Sequence, residues 1–264
     1  MNYEGLWWVA GGAEAGWGIN FAHQGDVIFA TWFTYNVSGK AWWLTMTANK
    51  TADGVYSGQL VRTNGAPFSA YAPPATPTVV GNATLTFASA TAGTFAYTVN
   101  DGANAATQTK AIVLQTFGPV PTCVWGAQPD LTLATNFQDL WWANGGSESG
   151  WGVNLTQQGT TIFATWFTYD GNRDPLWLSV TAPQTAPNTF SGTLYLTGGP
   201  PFSAVPFDPN QVTRTAVGAA TFKFTDGNAG VFTYVVDLGD GMNKATQSKA
   251  ISRQVFRAPG TVCQ

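Results

Sequence analysis

The segment Ile28–Tyr35 reads Ile-Phe-Ala-Thr-Trp-Phe-Thr-Tyr, and the same letters return at Ile162–Tyr169. Around it, Gly5–Trp8 matches Asp139–Trp142 and Ala15–Asn20 matches Ser149–Asn154. The copies lie about 130 residues apart, so each is a domain in its own right and not a solenoid unit of roughly 20–50 residues. The chain therefore divides into repeat 1 at 1–120, a linker at 121–135 and repeat 2 at 136–264. Each repeat is near ordinary domain size, and the expectation is that neither needs the other in order to fold. The repetition also filters chemistry, because a site used by both domains has to appear in both copies.

Within each copy, short β-branched and aromatic runs alternate with Gly, Asn, Asp and Pro at the spacing of an all-β barrel or sandwich. Repeat 2 predicts strands near 139–143, 150–157, 160–169, 175–181, 189–196, 217–225, 230–237 and 246–256, and repeat 1 predicts the same set. Gln24-Gly25 and Asp101-Gly102 are turn chemistry, supplying positive φ where a short connection needs it. Such connections join neighbours, and a meander of eight strands removes its exposed edges by closing. The fold class expected is all-β: two tandem eight-stranded antiparallel meander barrels. The longest connections, Pro67–Val80 and Pro201–Thr215, are Pro-rich and read as loops over a barrel mouth.

The third strand breaks the usual pattern. One face carries Val27, Phe29, Thr31, Phe33 and Tyr35 and the other Ile28, Ala30, Trp32 and Thr34, so both are apolar. A half-solvated strand has one polar face. The outside of this strand is therefore expected to be covered by the other domain, another subunit or a ligand, with Trp32 and Trp166 buried at a contact between domains.

Charged residues make up 9% of the chain, against a typical 25% or so, with a net charge of −3. The basic patch of a nucleic-acid binder is missing. No run approaches the length of a membrane-spanning helix, so no membrane span is expected. Chemistry-bearing residues mostly fail the repeat test. The one histidine, His23, corresponds to Gln157, which argues against a histidine triad or metal site common to both copies. Glu14 and Glu148 correspond, but no second acid accompanies them as a paired-carboxylate hydrolase needs; they are read as ordering the adjoining glycine-rich segment. Asp170–Asp174 begins like a calcium loop and then fails at Pro175 and Thr181, leaving a hairpin loop. No catalytic residue, metal site or cofactor is expected.

What does repeat is aromatic. Trp7, Trp8, Trp17, Trp32 and Trp43 correspond to Trp141, Trp142, Trp151, Trp166 and Trp177. Trp17 and Trp151 each stand between glycines, and Asn20 and Asn154 lie three residues later. An indole beside an amide suits stacking on a sugar or a planar small molecule. The candidate ligand-binding set is thus Trp8, Trp17, Asn20 and Trp43 with Trp142, Trp151, Asn154 and Trp177, at one end of each barrel. Plain core filling is the competing reading for each tryptophan.

Trp141-Trp142, Glu148–Asn154, Gln158-Gly159, Phe163–Asp170 and Lys249–Phe256 resemble a pattern shared by a broad group of exported proteobacterial proteins. That resemblance implies an exported bacterial location and this architecture, and no activity. More loosely, Gly5-Leu6-Trp7 and Arg253 resemble the calycin barrels (lipocalins, avidins), whose first strand carries a Gly-x-Trp covered by a basic residue from the last strand. Repeat 2 departs with Asp139 for the glycine, and repeat 1 with Leu114 for the arginine.

The function expected is a secreted or cell-surface, non-catalytic binding or adhesion module engaging a glycan or other surface ligand through the aromatic residues. The alternatives are a calycin-like carrier of a small apolar ligand and a structural module that self-associates through its strand-three faces. The start at Met1-Asn2-Tyr3-Glu4 lacks the features of a signal peptide, consistent with a mature exported chain. Cys123 and Cys263 close equivalent stretches; a bridge between them, two unpaired thiols, and pairing with cysteines outside this sequence all remain open.

Overall fold

Alternating apolar and polar positions, cut by turn residues, give each repeat eight strands in the computed structural model, which describes residues 1–264. In repeat 1 these are β1 (Gly5–Val9), β2 (Gly18–Gln24), β3 (Val27–Tyr35), β4 (Ala41–Ala52), β5 (Val55–Asn64), β6 (Thr76–Phe87), β7 (Ala92–Asp101) and β8 (Asn104–Leu114). A short strand, β9 (Cys123–Trp125), lies in the linker. Repeat 2 contributes β10 (Asp139–Ala143), β11 (Gly152–Gln158), β12 (Thr161–Tyr169), β13 (Pro175–Ala186), β14 (Thr189–Gly198), β15 (Thr213–Phe224), β16 (Ala229–Asp237) and β17 (Lys244–Arg253). The last strand is β18 (Thr261–Cys263).

Each set of eight closes into an antiparallel barrel in simple sequence order. Closure comes from the first strand pairing with the last: Trp7 faces Leu114 across β1 and β8, and Trp141 faces Arg253 across β10 and β17. Every edge is thereby paired, which removes the free N–H and C=O rows that drive aggregation. Gly25 turns β2 into β3 with φ 64°, as the turn sequence predicts.

The lumens are filled with side chains. Trp32 on β3 packs edge-on against Phe95 of β7, with ring centroids 5.1 Å apart, and tilts against Tyr97 at 4.6 Å. Strands β3 and β7 lie on opposite sides of an eight-stranded barrel, so these contacts run through its interior. Trp166 repeats them with Phe232 and Tyr234 at 5.2 and 4.4 Å. This corrects the direction expected for Trp32 and Trp166: the indoles point into the lumens and not outward, and it is there that each meets a phenylalanine from the other repeat. The period-2 pattern could not choose, because with both faces apolar it gives no sign of which is inside. The outward residues Thr31, Phe33 and Tyr35 are buried as well.

At the other end of the first lumen, Tyr3 stacks on Phe87 at 3.7 Å, with Trp7 edge-on to both. In the second, Phe137 stacks on Phe224 at 3.8 Å, and Trp141 tilts against Phe224 at 5.0 Å. Trp7 and Trp141 are fully buried, and each indole N–H donates to a backbone carbonyl, of Tyr3 and of Phe137.

Compactness divides the chain discontinuously. One unit comprises Met1–Arg62, Pro77–Gln115 and Thr197–Thr213; the other comprises Thr63–Thr76, Thr116–Leu196 and Arg214–Gln264. The long connection after β5 therefore belongs to the unit of the second barrel, and the long connection after β14 to the unit of the first. The sequence reading placed these connections over a barrel mouth without saying whose.

Cys123 and Cys263 form a disulfide spanning 140 residues, carried by the two-stranded sheet of β9 and β18. Leu131, Ala134 and Val262 form a small apolar cluster of their own. Closing a loop of that length restricts the unfolded chain by up to about 5 kcal/mol in the loop-entropy estimate. The double variant Cys123→Ser, Cys263→Ser is accordingly expected to unfold at clearly lower urea than the oxidised parent, by 2–5 kcal/mol in order of magnitude. Coincident urea midpoints would show that the bridge adds nothing.

Candidate functional site at the barrel mouths

Each exchanged connection opens with the same letters but one, Gly65-Ala66-Pro67-Phe68-Ser69-Ala70 and Gly199-Pro200-Pro201-Phe202-Ser203-Ala204. The phenylalanine enters a barrel mouth. Phe202 packs against Trp32 at 5.5 Å and Trp42 at 5.4 Å in the first unit; Phe68 packs against Trp166 at 5.5 Å in the second. Both phenylalanines are buried.

Two side chains receive the backbone that carries the ring. The Tyr97 hydroxyl lies 3.1 Å from the Phe202 carbonyl and 3.0 Å from Gln108 Oε1, and Gln108 Nε2 donates to the Ser203 carbonyl at 3.0 Å. In the second unit Tyr234 lies 3.1 Å from the Phe68 carbonyl and 2.7 Å from Gln247 Oε1, while Gln247 Nε2 donates to Ser69 at 2.8 Å. Two buried carbonyls are thus satisfied where a missing partner costs more than a made bond gains. Burial pushes the Tyr97 and Tyr234 phenols far above their ordinary range, so both remain neutral donors.

The glycines make room for these connections. A Cβ on Gly199 would come within 2.6 Å of the Tyr35 ring, and one on Gly65 within 2.4 Å of Tyr169. The same tyrosines stack on the far end of each connection, Tyr35 on Phe207 and Tyr169 on Tyr71.

The expected ligand residues do not form one surface. Trp17 and Trp151 touch the lumen rings Trp32 and Phe232 and are 7% and 4% exposed. Each indole N–H donates to the preceding glutamate, Glu14 or Glu148, at 3.0 Å. Those glutamates are paired in turn with Lys110 and Lys249 at 2.7 and 2.8 Å. The glycine before each indole makes room for the incoming connection, a Cβ on Gly16 lying 2.5 Å from Val212 and one on Gly150 2.3 Å from the Tyr71 hydroxyl, while Gly18 and Gly152 lie against the Trp7 and Trp141 carbonyls. Asn20, Trp43, Asn154 and Trp177 lie on the outer faces of their sheets, opposite Thr31, Phe33, Thr165 and Phe167, and are buried. Only Trp8 and Trp142 are half-exposed, lying over Gly12 and Gly146.

The sequence reading missed Phe68/Phe202, Tyr97/Tyr234, Gln108/Gln247 and Lys110/Lys249. The signal was present: Ala106–Ile112 and Ala245–Ile251 differ at one position, and Pro-Phe-Ser-Ala occurs once in each repeat.

His23 closes the opposite end of the first barrel. Its Nδ1 accepts from the Tyr3 amide at 2.9 Å, and its Nε2 lies 3.0 Å from the Gly25 carbonyl. Gln157 reproduces both bonds, accepting from Phe137 at 2.8 Å and donating to Gly159 at 3.2 Å. The neutral imidazole makes the two bonds a glutamine makes at this place, and its Nε2 also lies 3.2 Å from the Tyr56 hydroxyl, where repeat 2 has Phe190. Burial holds its pKa down at about 4, against the opposing pull of the Gly25 carbonyl. The unfolded chain takes up this proton below pH 6.5 and the folded chain only near 4, so stability falls as pH drops through that window. His23→Gln is expected to leave stability at pH 7.5 nearly unchanged and to remove roughly 3 kcal/mol or less of the loss between pH 6.5 and 4. Urea midpoints measured across that range for both chains test this; parallel pH curves would contradict it.

In the second barrel, Arg253 covers Trp141, its guanidinium 5.1 Å from the ring, and sits 3.3 Å from Asp139. Arg253 also donates to the carbonyls of Gln138, Gly227 and Asn136. Burial pushes the Asp139 carboxyl up, while Arg253 pulls it down. Repeat 1 has Gly5 and Leu114 at these places, so the charges come and go as a pair. Arg253→Leu alone should cost about 3–5 kcal/mol by stranding a buried acid, and adding Asp139→Gly should recover the part due to the acid while leaving the part due to the carbonyls of Asn136, Gln138 and Gly227. A double-mutant cycle in urea reads the coupling; additive losses would refute the pairing.

Comparison of the chain with family models, with curated proteins and with solved structures returned no match.

Proposed function

We propose that this chain is an exported, non-catalytic structural module, in which two plugged barrels present their outer surfaces and neither lumen carries cargo. One observation carries the reading: each mouth already has an occupant, a buried phenylalanine with its backbone hydrogen-bonded. An eight-stranded barrel has room for packed side chains or for one small ligand, and here aromatic rings take that room. The repeated glutamates and tryptophans are engaged with each other and with lysines, which supports a packing role over a chemical one. The disulfide supports an oxidising compartment, in keeping with secretion or display at a cell surface.

A second reading, ligand binding on the outer surface, has its own support. Trp8 and Trp142 keep part of their indoles accessible. A cleft of about 270 Å³ lies along β6, β7 and β8, with Asn82, Thr84, Thr98, Thr107 and Thr109 in its lining. Hydroxyl and amide groups in a shallow cleft suit a sugar. Repeat 2 has Ala219 and Val235 where repeat 1 has Asn82 and Thr98, so any such site belongs to the first barrel alone.

Titration of the intact chain with a fatty acid, an apolar fluorophore and a panel of soluble oligosaccharides, monitored by tryptophan fluorescence, separates the readings. The structural module predicts no saturable response to the apolar compounds. Saturable quenching by them would favour a carrier, and oligosaccharide binding weakened by Trp8→Ala or Thr98→Val would favour the outer-surface site.

A further inference from the structure

The two mouths are filled by segments that differ outside a short common core, and they hold that core by the same contacts. We propose that each barrel mouth is a peptide-recognition site for Gly-x-Pro-Phe-Ser-Ala, filled in cis in the intact chain and open to a peptide of that sequence in trans once the cis segment is withdrawn. The inference rests on the reading that the mouths are closed by these segments, and it gives the chemistry of the occupant.

Each element of the sequence has a partner. The glycine lies against the strand-three tyrosine, where any Cβ would approach the ring to 2.4–2.6 Å. Proline fixes the approach: Pro67 has φ −61° and ψ 150°, the polyproline conformation. Such a segment is ordered before it binds, and aromatic-lined grooves exploit this. The phenylalanine fills the space among Trp32, Trp42 and Tyr97, or against Trp166 and Tyr234. The carbonyls of Phe and of Ser meet the Tyr and Gln side chains.

Beyond the core the two segments diverge. Repeat 1 continues Tyr71-Ala72-Pro73-Pro74 and repeat 2 continues Val205-Pro206-Phe207-Asp208. This stretch includes exposed positions, with Val205 79% accessible. The mouths therefore share the contacts to the core, while the remainder meets the same tyrosine by a different aromatic in each, Phe207 on Tyr35 and Tyr71 on Tyr169. The acceptors Trp32, Tyr97 and Gln108 are matched by Trp166, Tyr234 and Gln247, so a segment from either repeat suits either mouth.

The test uses the full chain carrying Phe202→Ala, which empties one mouth and leaves the other filled. Three synthetic peptides serve as probes: Gly-Pro-Pro-Phe-Ser-Ala-Val, the sequence of residues 199–205, and its forms with alanine for the glycine or for the phenylalanine. The parent peptide is expected to bind the variant saturably, to raise its melting temperature and to change tryptophan fluorescence. Either alanine peptide should bind at least tenfold more weakly, and the unmutated chain should bind the parent peptide at least tenfold more weakly than the variant does. A folded Phe202→Ala chain that binds no peptide, or binds the phenylalanine-free one equally well, overturns the proposal. If Phe202→Ala does not fold, Gly199→Ala takes its place, since its Cβ would meet the Tyr35 ring and loosen the cis segment while leaving every residue of the mouth intact. Faster amide exchange over 199–204 together with the same peptide ranking would then support the site, and no binding would again overturn it. Capture of apolar small molecules by the unmutated chain would defeat the structural-module reading separately, leaving the peptide result to stand on its own.

Discussion

An eight-stranded barrel has to fill its lumen and close its ends, and here one mouth of each barrel is closed by a phenylalanine that its own strands do not supply. The ring satisfies the apolar requirement, and the Tyr–Gln pair satisfies the two carbonyls brought in with it. Admitting a backbone at that point constrains its surroundings. Gly65 and Gly199 are small where they cross a tyrosine ring, and Gly16 and Gly150 are small where the far end of the connection passes. The tryptophans between those glycines turn inward and are tied to a glutamate and a lysine.

The strands were legible because alternation and turn residues are local signals, and the eight segments expected in repeat 2 correspond to β10–β17. The exchange of connections was not legible, for a reason specific to this chain. Both mouths carry the same Trp, Tyr and Gln, and both connections carry Pro-Phe-Ser-Ala. Apart from Trp42, which has Leu176 as its counterpart, the shared core and the shared acceptors carry nothing that says which segment meets which mouth. Trp32 and Trp166 were misassigned for a related reason, since a strand apolar on both faces does not declare its inside. The glycine-flanked Trp17 and Trp151 drew attention as open platforms because the partner that needs the space, the connection bearing Val212 or Tyr71, is remote in sequence.

Where the repeats differ in buried polar residues, they differ in sets that keep every bond made. Gln157 makes the bonds to the strand-one amide and the turn carbonyl that His23 makes, and the Tyr56 hydroxyl that also faces His23 is replaced together with it, by Phe190. Asp139 and Arg253 stand together in repeat 2, and Gly5 and Leu114 stand together in repeat 1. Neither substitution leaves a buried group stranded, the condition under which a polar interior is tolerated.

The order of synthesis gives the discontinuous units a further meaning. Ribosomes deliver a chain from its N-terminus, and domains generally fold as they emerge. The first barrel has all its strands once Leu114 is out, yet its stopper, Phe202, arrives only after most of the second barrel has been made. Until then Trp32, Trp42 and Tyr97 line an unstoppered cup. A nascent chain of this kind leaves its beginning unfinished until about three quarters of it has been made, although Pro67-Phe68-Ser69, the matching segment that goes to the second barrel, emerges long before.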